Sequence, residues 1–127
     1  MPTLAWTRPN SDAPVAEAIV MASGFELRSV MDVPAFFVAA LRIRRQMLRS
    51  PGVLGVSLVA RPLAKTFYTL SAWESRAALD AAVAAEPHAT SMGRFGSKMA
   101  RSRFVFWTAA GAVPPRWPDA RRRLAKA

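Results

Sequence analysis

A run of four large apolar residues, Phe104-Val105-Phe106-Trp107, constrains the fold more than any other segment of this chain. The side chains of a β-strand point alternately to opposite faces of its sheet. Phe104 and Phe106 therefore point to one face, and Val105 and Trp107 point to the other. A sheet with one face in water would alternate apolar with polar residues, so this run predicts a sheet that is covered on both faces.

The segment 66–73 has the same property, with an aromatic side chain on each face of the predicted strand. One layer of helices can cover only one face of such a sheet. The other face needs more chain or a second subunit, because an exposed apolar patch of that size promotes aggregation. We therefore predict a homodimer in which the helix-free faces of two sheets pack together.

The composition indicates one soluble domain. The chain has 127 residues, of which 52% are hydrophobic, so a single domain with a substantial core is expected. It has no cysteine, no convincing signal peptide near its start, and no apolar stretch that approaches the roughly 20 residues of a membrane span. We expect a cytoplasmic protein that does not associate with membranes.

The formal net charge of +10 favours acidic partners, including nucleic acid. The basic residues are spread over a predicted helix, the segment before the last strand and the C-terminal tail. That distribution is typical of a solvated surface, and the aromatic residues look buried rather than available for stacking on bases. Nucleic acid is therefore not the expected partner, although binding through the arginine-rich tail stays open as an alternative.

Hydrophobic periodicity predicts the order strand, helix, strand, strand, helix, strand between residues 15 and 111. This order is typical of an α+β, ferredoxin-like βαββαβ fold, with a four-stranded antiparallel sheet and both helices on one face. Residues 1–14 are predicted to form a flexible arm. Residues 112–127 form a Pro- and Arg-rich arm that ends in a short basic helix, and Trp117, between prolines, suggests that this arm docks on another surface.

Three segments within this pattern carry a family resemblance. Residues 67–75 form a strand that ends in a tryptophan and an acidic residue before a helix, residues 50–55 form a turn into a strand, and residues 86–88 form a helix break with a histidine. From about residue 17 to about residue 109 the chain resembles the antibiotic-biosynthesis-monooxygenase-like family of dimeric α+β barrels. The resemblance implies a cleft between helices and sheet. It does not decide the chemistry, because the superfamily includes oxygenases of polycyclic aromatics, haem-degrading enzymes and members of unknown role.

His88, the single histidine, is the main candidate for chemistry. In a cleft of this family it would act as a general base or as an axial haem ligand. The structural alternative is a capping or hydrogen-bonded histidine at the start of a helix. The haem-degrading relatives, aligned on Trp73, carry their ligand histidine near the position of Met92, which disfavours haem ligation by His88. We expect no cofactor, with haem as the alternative.

Tyr68 and Trp73 are predicted to orient an aromatic ring beside His88. Packing under the second helix is the structural alternative for Trp73, and a position in the sheet–sheet interface is the alternative for Tyr68. The scattered carboxylates and the single histidine give no support for a metal site. Aromatic and methionine residues lie on segments that should face the space between helices and sheet. A packed core is the structural interpretation of these residues, and a cleft for a hydrophobic small molecule, as the family resemblance implies, is the functional one. The proposed substrate contacts in that cleft are Phe36, Phe37, Met92 and Phe95.

The family resemblance implies the leading functional hypothesis, which is a small homodimeric, cofactor-independent monooxygenase that acts on an aromatic or polyketide-like substrate in an apolar cleft. Two alternatives stay open. One is a haem-binding member of the same superfamily, and the other is a non-catalytic module for ligand binding or assembly.

Overall fold

The structure, a computed structural model, describes residues 3–7, 17–86, 88–110 and 115–126, and for residues 3–7, 89, 92 and 110 it gives the backbone alone. This part of the chain contains five strands and four α-helices, which are β1 (Thr3–Thr7), β2 (Glu17–Leu27), α1 (Val33–Leu48), β3 (Val53–Arg61), β4 (Thr66–Trp73), α2 (Arg76–Ala84), α3 (His88–Gly96), β5 (Met99–Ala110) and α4 (Trp117–Ala125).

The five strands form one antiparallel sheet in the order β1-β3-β4-β2-β5. Strands β2 to β5, with α1, α2 and α3 on one face, make the predicted α+β ferredoxin-like fold. Met21, Ser23 and Phe25 of β2 point towards these helices, and Val20 and Ala22 point away from them. No helix in the described residues is both long and apolar enough to span a membrane.

Strand β5 is partly buried on the face that α4 contacts, and its helix face stays largely uncovered, so the cover that its apolar run predicts is found in part. Phe104 and Phe106 lie on the helix side of the sheet, where they remain 43% and 40% exposed because β5 is an edge strand. Val105 and Trp107 lie on the opposite side and are partly buried there.

Helix α4 supplies the cover on that opposite side. Its residues Ala120 and Leu124 are buried in the same cluster as Val20 and Leu70 of the sheet. The indole N–H of Trp117 donates a hydrogen bond to Ser57 Oγ at 3.1 Å. The docking expected from Trp117 is therefore confirmed, and the surface on which the arm docks is the sheet of its own chain.

The placement of α4 changes the argument for a homodimer. The sequence analysis left this face free of helices and assigned it to a second subunit. Over the area that α4 covers, the same chain buries the apolar side chains, so a second subunit is not needed there. The homodimer stays a prediction. The reason given for it, an uncovered apolar sheet face, now applies only to the part of that face that α4 does not cover.

Strand β1 is an element that the sequence analysis did not predict. It pairs with β3 at the edge of the sheet, with Thr3 opposite Val59 and Thr7 opposite Val56. The flexible arm predicted for residues 1–14 therefore does not extend over Thr3–Thr7. The prediction gave more weight to the Pro, Asn, Ser and Asp residues of this segment than to the short apolar run between Thr3 and Thr7.

The turn from α1 into β3 depends on Gly52. This residue has a φ of +83°, a left-handed conformation that favours glycine. A Cβ at this position would lie 2.6 Å from the Cβ of Ala78 in α2. The carbonyl of Gly52 also accepts a hydrogen bond from the backbone N–H of Glu74 at 2.8 Å. The turn thereby fixes the end of α1 against the start of α2.

Candidate functional site

A cavity of about 370 Å³ lies between the sheet and helices α1, α2 and α3. Its position follows from the sequence of two neighbouring strands. Met21 of β2 belongs to one core cluster, and Phe25 of β2 and Phe67 of β4 belong to another. Between them the inward positions carry the smaller Ser23 and Thr69, which are cross-strand partners. Small residues at the centre and large ones on both sides leave a space within the range of small-molecule sites.

The walls of this cavity are mostly apolar. Aromatic, methionine and aliphatic side chains from all three helices and from strands β2 to β5 surround the space. An apolar lining of this kind favours a ligand that buries a hydrophobic surface. The apolar lining residues are Met21, Phe25, Phe36, Ala39, Ala40, Ile43, Met47, Val56, Leu58, Phe67, Leu79, Val83, Phe95, Met99, Phe104 and Phe106.

Three hydroxyl groups on the sheet give the cavity a polar floor. Ser23 Oγ and Thr69 Oγ1 are hydrogen-bonded to each other across the two strands. Ser71 Oγ accepts a hydrogen bond from the indole N–H of Trp73 at 2.9 Å. A hydroxyl can donate one hydrogen bond and accept two, so these groups retain capacity for an oxygen atom of a ligand.

Gln46 positions His88 at the wall of the cavity. The side-chain amide of Gln46, on α1, donates to the carbonyl of Ala82 on α2 at 2.8 Å. Its oxygen accepts the backbone N–H of His88, the first residue of α3, at 3.0 Å. One side chain therefore connects three helices at the point where the histidine enters the cavity wall.

The imidazole of His88 is buried and uncharged at neutral pH. Burial lowers the pKa of His88 below its ordinary value of 6.5, and a hydrogen bond between the imidazole and the backbone of Val83 opposes that shift. The Nδ1 atom is buried and has no hydrogen-bond partner among the described residues. A buried polar atom without a partner is uncommon in folded proteins. A neutral imidazole in this position can accept a proton from a molecule in the cavity.

An ion pair marks the exposed side of the cavity. The Nε atom of Arg76 lies 3.0 Å from Oδ1 of Asp80, one helical turn away on α2. The guanidinium of Arg76 also lies 4.1 Å from the ring centroid of Phe106. These three side chains line the cavity where it meets solvent, and we describe them as its mouth.

Several of the predicted contact residues come together in this cavity. His88, Phe36 and Phe95 all line it. Phe37 does not line it, although it packs against the core cluster that contains Phe36 and Phe95. The backbone of Met92 lies on α3, and its side chain is outside the described residues.

Tyr68 lies on the opposite face of the sheet from His88. Phe67 and Thr69 point towards the helices, so the residue between them points towards α4. The ring of Tyr68 there lies near the guanidiniums of Arg61 and Arg121. Tyr68 therefore cannot orient a substrate beside His88, which corrects that part of the sequence prediction.

Trp73 takes the structural role that the sequence analysis held as its alternative. The side chain is completely buried in the core under α2 and does not line the cavity. Its indole N–H holds the hydroxyl of Ser71, which does line the cavity. Trp73 acts on the floor of the cavity through that hydrogen bond and does not contact a ligand directly.

The sequence analysis missed the polar residues of the site. In the sequence, Ser23 lies between Met21 and Phe25 on one strand face. The pair Thr69 and Ser71 lies between Phe67 and Trp73 in the same way, so the signal is a polar interruption of a large apolar face. That signal can be interpreted only once the pairing of β2 with β4 is known. Arg76 and Asp80 have the spacing of an ordinary helical ion pair, so nothing in the sequence sets them apart.

The described residues hold no group of three or more histidine, aspartate or glutamate side chains that could bind a metal ion. Haem stays the alternative to the expected absence of a cofactor, since nothing in the arrangement of the described residues tests either.

The fold has counterparts among solved structures. A protein from Nitrosomonas europaea, provisionally named an antibiotic biosynthesis monooxygenase, matches with a TM-score of 0.64 and 16% identity, over 80% of this chain and 92% of that one. A second antibiotic biosynthesis monooxygenase matches with a TM-score of 0.65 and 15% identity, over 72% of this chain and 98% of that one.

A third match is SnoaB from Streptomyces nogalater, a cofactor-independent oxygenase, with a TM-score of 0.56 and 14% identity, over 75% of this chain and 94% of that one. A scan against protein-family models and a search of curated proteins found no match. The chain therefore has the α+β ferredoxin-like fold of antibiotic-biosynthesis-monooxygenase-like proteins. The resemblance seen in the sequence is confirmed at the level of the fold.

Proposed function

We propose that this protein is a cofactor-independent oxygenase that binds a polycyclic aromatic substrate in the cavity and uses His88 as its general base. The observation that carries the proposal is the buried, uncharged imidazole, whose Nδ1 has no partner among the described residues, in the wall of an apolar cavity. A structural histidine would more often have its ring nitrogens paired.

The lining of the cavity supports an aromatic substrate. Phe36 and Phe95 offer ring faces and edges to a flat apolar molecule, in the way that aromatic pairs associate in protein cores. The hydroxyls of Ser23 and Thr69 offer hydrogen bonds to one or two oxygen atoms on such a molecule. A ligand with fused rings and a carbonyl or phenol oxygen satisfies both kinds of surface.

The proposed reaction begins with proton transfer to His88. In a substrate such as anthrone, loss of a proton from the central ring carbon gives an aromatic phenolate whose electron-rich carbon can react with molecular oxygen. His88 accepts that proton and returns it to the peroxide that forms when oxygen adds to the carbon. The hydroperoxide then loses water and leaves a carbonyl. In sum, a CH₂ group and O₂ become a C=O group and one molecule of water.

The protein contributes three effects in this mechanism. Burial keeps His88 uncharged and ready to accept a proton at neutral pH. The apolar walls exclude water from the carbanion. The floor hydroxyls stabilise the negative charge that develops on the substrate oxygen. The fold shared with SnoaB, a cofactor-independent oxygenase, is consistent with chemistry that uses the substrate itself to react with oxygen.

Oxygen consumption with anthrone tests this proposal. We expect the wild-type protein to accelerate conversion of anthrone to anthraquinone, and we expect His88→Ala to lower the rate by a factor on the order of 100 or more. Tyr68→Phe is the matched control, because Tyr68 lies on the other face of the sheet, and its rate should equal that of the wild type. Circular dichroism and thermal melting check that each variant is folded.

Equal rates for the wild type and a folded His88→Ala variant would remove His88 from the mechanism. If His88→Ala does not fold, His88→Gln keeps a polar side chain of similar size and serves the same comparison. Absence of any acceleration by the wild type over buffer would contradict the proposed reaction with this substrate class.

A further inference from the structure

A second concave surface lies on the opposite face of the sheet, beside the C-terminal half of α4. It has a volume of about 370 Å³ and is separate from the cavity that contains His88. Four arginines line it, and we call this surface the arginine trough. They are Arg61 on β3, Arg101 and Arg103 on β5, and Arg121 on α4.

Strand register fixes the two ends of the trough. Arg61 is paired with Thr66 of β4, Thr66 with Glu26 of β2, and Glu26 with Arg101 of β5. One row of cross-strand partners therefore begins and ends with an arginine. Because neighbouring strands are about 4.8 Å apart, the backbones of the two arginines are separated by roughly 14 Å.

Tyr68 and Gly24 form the middle of the trough. A Cβ on Gly24 would lie 3.3 Å from two atoms of the Tyr68 ring, so glycine allows the ring to lie flat over the strand. The guanidinium carbons of Arg61 and Arg121 lie 5.8 and 6.0 Å from the centroid of that ring. Arg103 Nη1 donates to the carbonyl of Leu124 at 3.4 Å, which holds α4 over the trough.

Among the described residues, the side chains that line the trough carry a net positive charge. None of the four arginines takes part in an ion pair among those residues, and Glu26 is the one carboxylate that lines the surface. The Nε atom of Arg61 is buried and has no hydrogen-bond partner among the described residues. The guanidinium groups repel each other because they carry like charges, and a bound anion would offset that repulsion.

We propose that the arginine trough binds a small molecule that carries a diphosphate group. Guanidinium groups bind phosphate oxygens through paired hydrogen bonds, and several can approach one tetrahedral phosphate from different directions. A ligand with two linked phosphates can engage arginines at both ends of the trough, whereas a single carboxylate reaches one end. The volume of the trough is that of a small-ligand site, which favours a small molecule over a polymer.

Isothermal titration calorimetry with inorganic pyrophosphate, at constant ionic strength, tests this proposal. We expect saturable binding to the full chain, and we expect Arg61→Gln and Arg101→Gln each to weaken it by roughly tenfold. Arg42→Gln is the matched control, because Arg42 is an exposed arginine on α1, on the other side of the sheet, and its loss changes the net charge equally. Citrate, a polycarboxylate, should bind more weakly than pyrophosphate.

Three outcomes would overturn the proposal. One is the absence of saturable pyrophosphate binding to the wild type. The second is an equal loss of affinity in Arg42→Gln, which would indicate a response to net charge alone. The third is citrate affinity equal to that of pyrophosphate, which would contradict the assignment to phosphate. Arg101 is exposed, so Arg101→Gln keeps the test valid if Arg61→Gln does not fold.

Discussion

His88 owes its proposed role to residues that are distant in the sequence. Its backbone N–H is held by Gln46, which is 42 residues away. The wall around it comes from three helices. The sequence identifies His88 because it is the single histidine, but it does not reveal that the ring is buried or that Nδ1 has no partner among the described residues. Those properties arise from the packing of α1 against α3.

The lowered pKa of His88 predicts a loss of stability in acid. A histidine whose pKa is lower in the folded state binds fewer protons there than in the unfolded state, so stability falls as the pH drops through about 6.5 towards the folded pKa. We expect the free energy of unfolding in urea to decrease over this range in the wild type and to change less in His88→Gln. Parallel curves for the two proteins would contradict the burial of the ring.

Gly52 predicts a local effect on stability that does not involve the cavity. Gly52→Ala forces a left-handed residue to carry a Cβ that meets the Cβ of Ala78, and we expect it to lower the free energy of unfolding by at least about 1–2 kcal/mol. Gly93→Ala is the matched control on α3, where a Cβ meets nothing within 4 Å, and a gain of about 0.5–1 kcal/mol is expected. Chemical denaturation measures both changes, and a tolerated Gly52→Ala would show that the turn can rearrange.

At the scale of elements, the spacing of apolar residues along the sequence was sufficient to predict the strands and helices of the central βαββαβ fold. The strand predicted over residues 66–73 has those bounds in the structure. Helix α2 begins after Ser75, whose hydroxyl accepts the backbone N–H of Ala78 at 3.1 Å. Asp32 stands at the N-cap position of α1, and its side chain makes no capping hydrogen bond. Periodicity predicts the elements well because it reflects burial directly.

The same reasoning did not identify which surface α4 would cover. The helix is rich in arginine, and its apolar contacts come mainly from Trp117, Ala120 and Leu124. A periodic pattern this sparse cannot indicate a binding partner. Whether a C-terminal helix packs on its own sheet or on another chain depends on the path of the preceding segment, and that path is not encoded in local propensity.

Removal of α4 is predicted to increase self-association. A chain that ends at residue 110 exposes Val20, Leu70 and the other side chains that α4 covers, and that apolar area is what the sequence analysis assigned to a second subunit. We expect sedimentation velocity to give a larger average mass for the truncated chain than for the full chain at equal concentration. Identical masses would mean that α4 does not compete with a second copy for this face.

At the scale of the whole molecule, one sheet separates two concave surfaces of different chemistry. The cavity under α1, α2 and α3 is apolar and contains His88, while the arginine trough beside α4 is cationic. The alternation of side chains along β4 produces both, since Thr69 faces the cavity and Tyr68 faces the trough. A dimer through the α4 face would have to accommodate the helix, and it remains a prediction.

The proposed function requires that the cavity accept a flat aromatic molecule. Titration of anthraquinone into the wild type and into Ala40→Phe tests it most directly, because Ala40 lines the cavity on α1 and a phenylalanine there would fill part of the space. We predict one-to-one binding to the wild type and affinity lower by about tenfold or more in Ala40→Phe, with the fold retained. Equal affinity in the two proteins, or no binding to the wild type, would contradict it.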